Sequence, residues 1–176
     1  IEHLARASRA LQFGLERVPS VVVDGVRVSS TVIREALADG DMPRASTLLG
    51  RPYRMSGKIV KGRQVGRSLG YATANVDIRR RQSAVMGIFA VRVHGLQEGP
   101  VDGVASLGTR PTFELCKPLL EVHLFDFDRE IYGEYIHVDF LAHLRPEEKF
   151  GSVDELVAQM AVDAENARVA LAAIAV

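Results

Sequence analysis

The sequence has no tryptophan, a single cysteine and no net charge, and each scarcity removes a class of function. With Cys116 alone no disulfide can form within the chain, a usage that fits a reducing compartment and leads us to expect the cytoplasm. Its 22 basic residues balance 22 acidic ones, leaving no long-range field to gather nucleic acid or an anionic membrane, so neither is expected as a partner. Aromatic residues make up 6% of the chain, too few for the stacking platforms on which small barrels hold oligonucleotides. No apolar run approaches the ~20 residues of a membrane-spanning helix. The opening Ile1-Glu2-His3-Leu4-Ala5-Arg6 has neither an initiator Met nor the texture of a secretory leader, and the chain is expected to begin inside a longer protein. The five histidines form no ligand set. His137 and His143 lie six apart in a strand-like stretch, but no cysteine or carboxylate completes a zinc spacing. Cys116 has no activating partner nearby in sequence, which argues against a thiol nucleophile.

What is present is an ordinary globular composition, 47% hydrophobic and 25% charged over 176 residues, enough for one full core and an appended fragment. Three textures follow one another. Residues 1–50 read as mostly helical, interrupted by Pro19 to Ser30, where Asp24-Gly25 between valine runs signals a tight hairpin. Ser29-Ser30-Thr31 offers caps for a helix through Ile33, Ala36 and Leu37 that Asp39-Gly40 ends. A second short helix carries Ala45, Leu48 and Leu49 and stops at Gly50. From Arg51 to about Leu144 the pattern turns to strands, at Met86–His94, Leu119–Phe127 and Tyr135–Leu141, separated by Gly and Pro clusters. Short strands without intervening helices predict an antiparallel sandwich or closed barrel. Ser152 and Glu155 then form a capping box for a final helix on which Leu156, Met160, Asp163 and Ala167 stack.

Four features could carry chemistry. Gly57, Gly62, Gly66 and Gly70 punctuate a short stretch with Lys58, Lys61, Arg63 and Arg67, which suits a loop whose N–H groups approach phosphate. A glycine-rich hairpin with solvated cations is the other reading. The stretch is neither a Walker loop nor a Rossmann fingerprint. Thr73 and Asn75, two apart, share a face if extended and would present two hard oxygens to Mg²⁺, although Thr-x-Asn also occurs in plain turns. Glu121 interrupts an apolar run, either on the outer face of a sheet or as a general base. Leu144 to Phe150 is either an ordinary connection or a place where Arg145 meets an anion and Phe150 an aromatic ligand.

Five segments in order resemble the riboflavin kinase family: Gly57 through Thr73-Ala74-Asn75, Gly108-Thr109-Arg110-Pro111-Thr112-Phe113, Glu121 through Tyr132-Gly133, Leu144-Arg145-Pro146-Glu147 with Lys149-Phe150, and Asp163. The resemblance covers about Arg51 to Arg168. It implies a mainly β fold, a six-stranded antiparallel Greek-key barrel with a C-terminal helix. It also implies an ATP- and Mg²⁺-dependent transfer of the γ-phosphate to the ribityl 5′-hydroxyl of riboflavin, giving FMN and ADP. Thr73 and Asn75 would ligate the metal. Gly57, Gly62, Arg67 and Gly70 would belong to the ATP loop, Glu121 would be the catalytic base, and Arg145 and Phe150 would line the flavin. Ala72 stands where the family usually has proline, whose ring would stiffen the backbone before Thr73. A non-catalytic flavin- or nucleotide-binding module on the same barrel is the alternative that Ala72 favours; the intact Thr73, Asn75 and Glu121 oppose it.

The first fifty residues have a second resemblance. Val28-Ser29-Ser30-Thr31-Val32-Ile33-Arg34 looks like a phosphate-binding motif of nucleotidylyltransferases. Leu48-Leu49-Gly50-Arg51-Pro52-Tyr53 looks like the join between modules in bacterial bifunctional FAD synthetases. The expected organisation is therefore a remnant of an FMN adenylyltransferase module over 1–50 and a kinase domain over 51–176. The His-x-Gly-His motif of that upstream module does not occur in the sequence, so the chain is not expected to make FAD unaided.

Overall fold

Local signals set the first elements of the computed structural model, which describes residues 2–174 apart from 17, 63–65, 67–68, 81 and 111–116. α1 (Glu2–Leu11) buries none of its side chains. β1 (Val22–Val23) and β2 (Val26–Arg27) form a hairpin in which Val23 faces Val26. Asp24 and Gly25 between them have φ of 50° and 76°, the doubly positive backbone that matches the twist of paired strands and that Asp-Gly tolerates. Ser29 caps α2 (Ser30–Ala38) by accepting the Val32 N–H. Asp41 caps α3 (Met42–Leu49) by accepting the Arg44 N–H at 3.0 Å, and a left-handed Gly50 ends it.

Six strands follow: β3 (Tyr53–Val60), β4 (Ala74–Asp77), β5 (Gly87–His94), β6 (Val101–Arg110), β7 (Lys117–Leu124) and β8 (Tyr135–Arg145). They close into an antiparallel barrel in the order β3-β4-β7-β6-β5-β8, with β8 pairing back onto β3. Closure leaves no open edge. Alternate residues fill the interior, among them Met55, Phe89, Val91, Leu120, Val122, Ile136 and Val138, and Phe89 meets Phe140 edge to face at 5.2 Å. Gly57 lies opposite Ile136 within β3, and a Cβ there would run into the Asp77 backbone of β4. It is a strand-packing glycine, apart from the loop that the sequence grouped it with.

Two features of the fold matter for the site. β8 runs on to Arg145, past its expected end at Leu141, because register shifts against β5 at Ile88/Phe89 and Ala90/Val91 let the pairing continue. The apolar core also continues across residue 50, since Ala36, Leu37, Met42 and Ala45 of α2 and α3 belong to the same buried cluster as the barrel interior.

The last element, α4 (Val153–Ile174), is capped by Ser152 as predicted, with the reciprocal Glu155 bond shifted one residue, to Gly151. Ser152 accepts the Glu155 N–H at 3.2 Å, while the Glu155 carboxylate reaches back to the Gly151 N–H at 2.9 Å. The helix lies against the outside of β5, β6 and β8, with Ala167 and Leu171 packed on Ala90 and Phe125. Among the described residues no helix is long and apolar enough to cross a membrane.

Candidate active site

Strand parity decides where Glu121 points. Leu120, Val122 and Leu124 of β7 fill the barrel, so Glu121 and His123 emerge on its outer face. Glu121 pairs with Asn75 of β4 on one side and Ser106 of β6 on the other, and Thr73 precedes Asn75 by two. This outer face is walled in. α4 and the connection before it stand over the sheet and leave a groove of about 440 Å³, lined by Thr73, Ser106, Glu121, His123, Arg145 and Phe150 together with Leu156, Met160 and Asp163 of the helix. Of the two sequence readings of Glu121, the outer-face one holds, and that face is a half-enclosed groove.

A second groove of about 280 Å³ opens on the other side of Thr73, between Ile59 and the Phe127 to Tyr132 segment. Thr73 lines both. Arg129 braces the second groove by binding Glu98 at 2.6 Å and Glu134 at 2.5 Å. Its hydrogen bonds, first to Glu98 and then to Glu134, push the guanidinium up, and Arg129 holds the Glu98 carboxyl below its usual range. A wider depression of about 800 Å³ lies elsewhere, between the β5–β6 hairpin and the end of α4. Its charged residues are spent on each other, Arg92 on Asp102 at 2.7 Å and Arg168 on Asp126 at 3.0 Å, and it contains none of the expected site residues.

Glycine matters at 62 and 66 because of close approach. A Cβ at 62 would run into the buried Asn75 amide, and one at 66 would strike the Tyr71 carbonyl and come within 3.3 Å of Thr73 Oγ1. At Gly62 and Gly66 the backbone thus approaches Asn75 and Thr73 with no room for a side chain, as close approach to a phosphate would need. Gly70 occupies an exposed turn at φ 83°. Arg67 and Cys116 lie outside the described residues. Two neutral oxygens beneath such a loop suit a hard cation that takes its other ligands from phosphate and water. Among the described residues no group of three or more His, Cys, Asp or Glu could hold a metal unaided.

Arg145 already has an anion. Its Nε and a terminal N–H donate to the two Asp163 oxygens at 2.8 and 2.7 Å, another donates to the Pro146 carbonyl, and the Phe150 ring lies 5.7 Å away. The hydrogen bond to Asp163 is the largest cause that raises the Arg145 pKa. Sequence reasoning missed Tyr71, Ser106, His123 and the walls of the smaller groove. Ser106 could not be found from local pattern, but the even offset of His123 from Glu121 was a usable signal.

Comparison with known proteins identifies the family. The Flavokinase family model, described as riboflavin kinase, matches residues 49–171. The bifunctional riboflavin kinase/FMN adenylyltransferase of Escherichia coli (strain K12) is 44% identical over 165 residues, covering 94% of this chain and 53% of that protein. Its counterpart in Haemophilus influenzae is 43% identical over 166 residues, with 94% and 54% covered. The chain thus spans about half the length of the curated relatives it matches. Among solved structures, the crystal structure of a macrolide-efflux protein from Streptococcus pneumoniae superimposes with a TM-score of 0.77 at 39% identity, over 86% of this chain and 50% of that one. The family match extends from the end of α3 into α4 and takes in the barrel and both grooves: the chain belongs to the riboflavin kinase family.

Proposed function

We propose that this chain transfers the γ-phosphate of ATP to the 5′-hydroxyl of riboflavin, producing FMN and ADP. The observation that carries the reading is the meeting of two grooves at Thr73, with Asn75 and Glu121 side by side on neighbouring strands. The larger groove suits a flavin. Its ring would lie between Phe150 and the Leu156 and Met160 side of α4, and its ribityl chain would reach Glu121. The smaller groove, with Phe127 and Tyr132 in its walls, suits the nucleoside end of ATP, with the phosphates under the Gly62 and Gly66 backbone.

In this reading Glu121 accepts the hydroxyl proton as the ribityl oxygen attacks the γ-phosphorus. The bond from that phosphorus to the β–γ bridging oxygen breaks, ADP leaves with the electron pair, and Glu121 later releases its proton to water. Thr73 and Asn75 would hold Mg²⁺, which when bound neutralises phosphate charge. Backbone N–H groups of the loop, together with Arg67, would steady the remainder. Residues 1–50 would be the end of an upstream adenylyltransferase module, and conversion of FMN to FAD would require the rest of it.

The test is incubation with riboflavin and Mg-ATP, with a chelator control, followed by chromatography for FMN and ADP. Equimolar FMN and ADP, lost on chelation, is the expected result. Flavin and nucleotide binding without turnover would instead make the chain a binding module and overturn the proposal. In the same assay Asn75→Ala should raise the KM for Mg-ATP about tenfold, the worth of roughly one good polar contact. An unchanged Mg²⁺ requirement would remove Asn75 from the metal site.

A further inference from the structure

We infer that His123 is a positioning residue for Thr73, holding the backbone just before it so that the threonine hydroxyl stays at the junction of the two grooves. The inference rests on the kinase reading above. β4 begins at Ala74, which pairs with Val122, so Tyr71, Ala72 and Thr73 precede the sheet ladder. Ala72 imposes no backbone restriction of its own beyond that of any ordinary residue. Position there must come from contacts, and His123 supplies one: its Nδ1 lies 2.9 Å from the Ala72 carbonyl oxygen. A carbonyl only accepts, so the imidazole carries a proton on Nδ1 and donates it.

The imidazole is itself held. Tyr71 meets it edge to face at 5.2 Å and Phe125 does so at 5.9 Å, with the Arg168 guanidinium over Phe125 at 4.2 Å. Tyr71 is fixed in turn through its N–H, which donates to the Gly66 carbonyl at 2.9 Å. The segment 71–72 is thus tied to the barrel wall through His123 and to the glycine loop through Gly66. Thr73 follows directly. Because His123 also borders the larger groove, a direct flavin contact is the rival role, and the two roles move different constants.

The experiment measures kcat and the separate KM values for Mg-ATP and riboflavin, with Mg-ADP binding by calorimetry. The chains compared are the wild type, His123→Ala, His123→Asn and the double variant His123→Ala with Ala72→Pro. His123→Ala should raise the KM for Mg-ATP and weaken Mg-ADP binding about tenfold, with the riboflavin KM within about twofold. Asn can place its Nδ2 where the imidazole Nδ1 stood, and proline fixes φ at residue 72 without any tether. Recovery of Mg-ADP affinity in either rescue variant supports the positioning role. Failure of both rescues, or a rise confined to the riboflavin KM, overturns it. A wild type that binds Mg-ADP but makes no FMN sinks the kinase reading alone, because the calorimetric comparison still reports on the tether.

Discussion

Glu121→Gln should lower kcat for FMN formation about 10²–10⁴-fold while leaving Mg-ADP binding within about twofold. Glutamine keeps the length and shape of the side chain and an oxygen that can accept a hydrogen bond, but it cannot take up a proton at neutral pH. The groove should therefore keep its form, since the backbone of residue 121 stays paired with Asn75 and Ser106 whatever its side chain. A residue that acts only on the reacting proton lowers kcat and kcat/KM together, whereas loss of a ground-state contact raises KM. Asn75→Ala is the built-in contrast: its neighbour across the ladder should act through the Mg-ATP constant and Glu121 through turnover. Steady-state kinetics with both substrates varied separates the two. Near-normal turnover of Glu121→Gln would remove this carboxylate from proton transfer and leave it as a wall of the groove.

Most of the fold was legible because it is written in short-range chemistry. Asp24-Gly25 between β-branched residues, Ser29 before a helical run and Ser152 as the cap of the last helix each act within a few residues, and each formed as its pattern predicts. Alternation in β7 likewise told that Glu121 and Leu120 face opposite ways. Alternation cannot tell what covers a face. That Glu121 lies in a groove depends on α4, more than thirty residues later, crossing the outside of β5, β6 and β8. The glycines show the same divide. Gly57 and Gly62 read alike in sequence, yet one is crowded by the β4 backbone and the other by the Asn75 amide, and only the closed barrel distinguishes them. The sequence left Arg145 open between an ordinary connection and an anion contact, because Asp163, the anion it meets, is eighteen residues away on another element.

That last pairing has the largest expected effect on stability. Asp163→Asn should destabilise the chain by about 2–4 kcal/mol and raise the riboflavin KM at least several-fold. Asp163 is buried, its carboxylate accepts two N–H bonds from Arg145 and one from Gln159 at 3.0 Å, and the side chains of the pair are only 16% and 7% exposed. Removing the charge leaves a largely buried guanidinium facing a neutral amide, so its desolvation is no longer offset by a full counter-charge. The Arg145 pKa is raised by this partner, so its side of the contribution is present in full at neutral pH and is lost only when pH climbs through the raised value. Arg168 of α4 and Asp126, just after β7, make another two-bond pair, but exposed at 47% and 81%, and Asp126→Asn should barely move the unfolding midpoint. Urea unfolding of the two variants, with riboflavin KM measured on each, decides the matter. If Arg145 serves α4, and through it the groove, Asp163→Asn loses stability and flavin affinity together while Asp126→Asn loses neither. Equal midpoints would leave the helix held by the apolar contacts of Ala167 and Leu171, and would free Arg145 for the flavin itself.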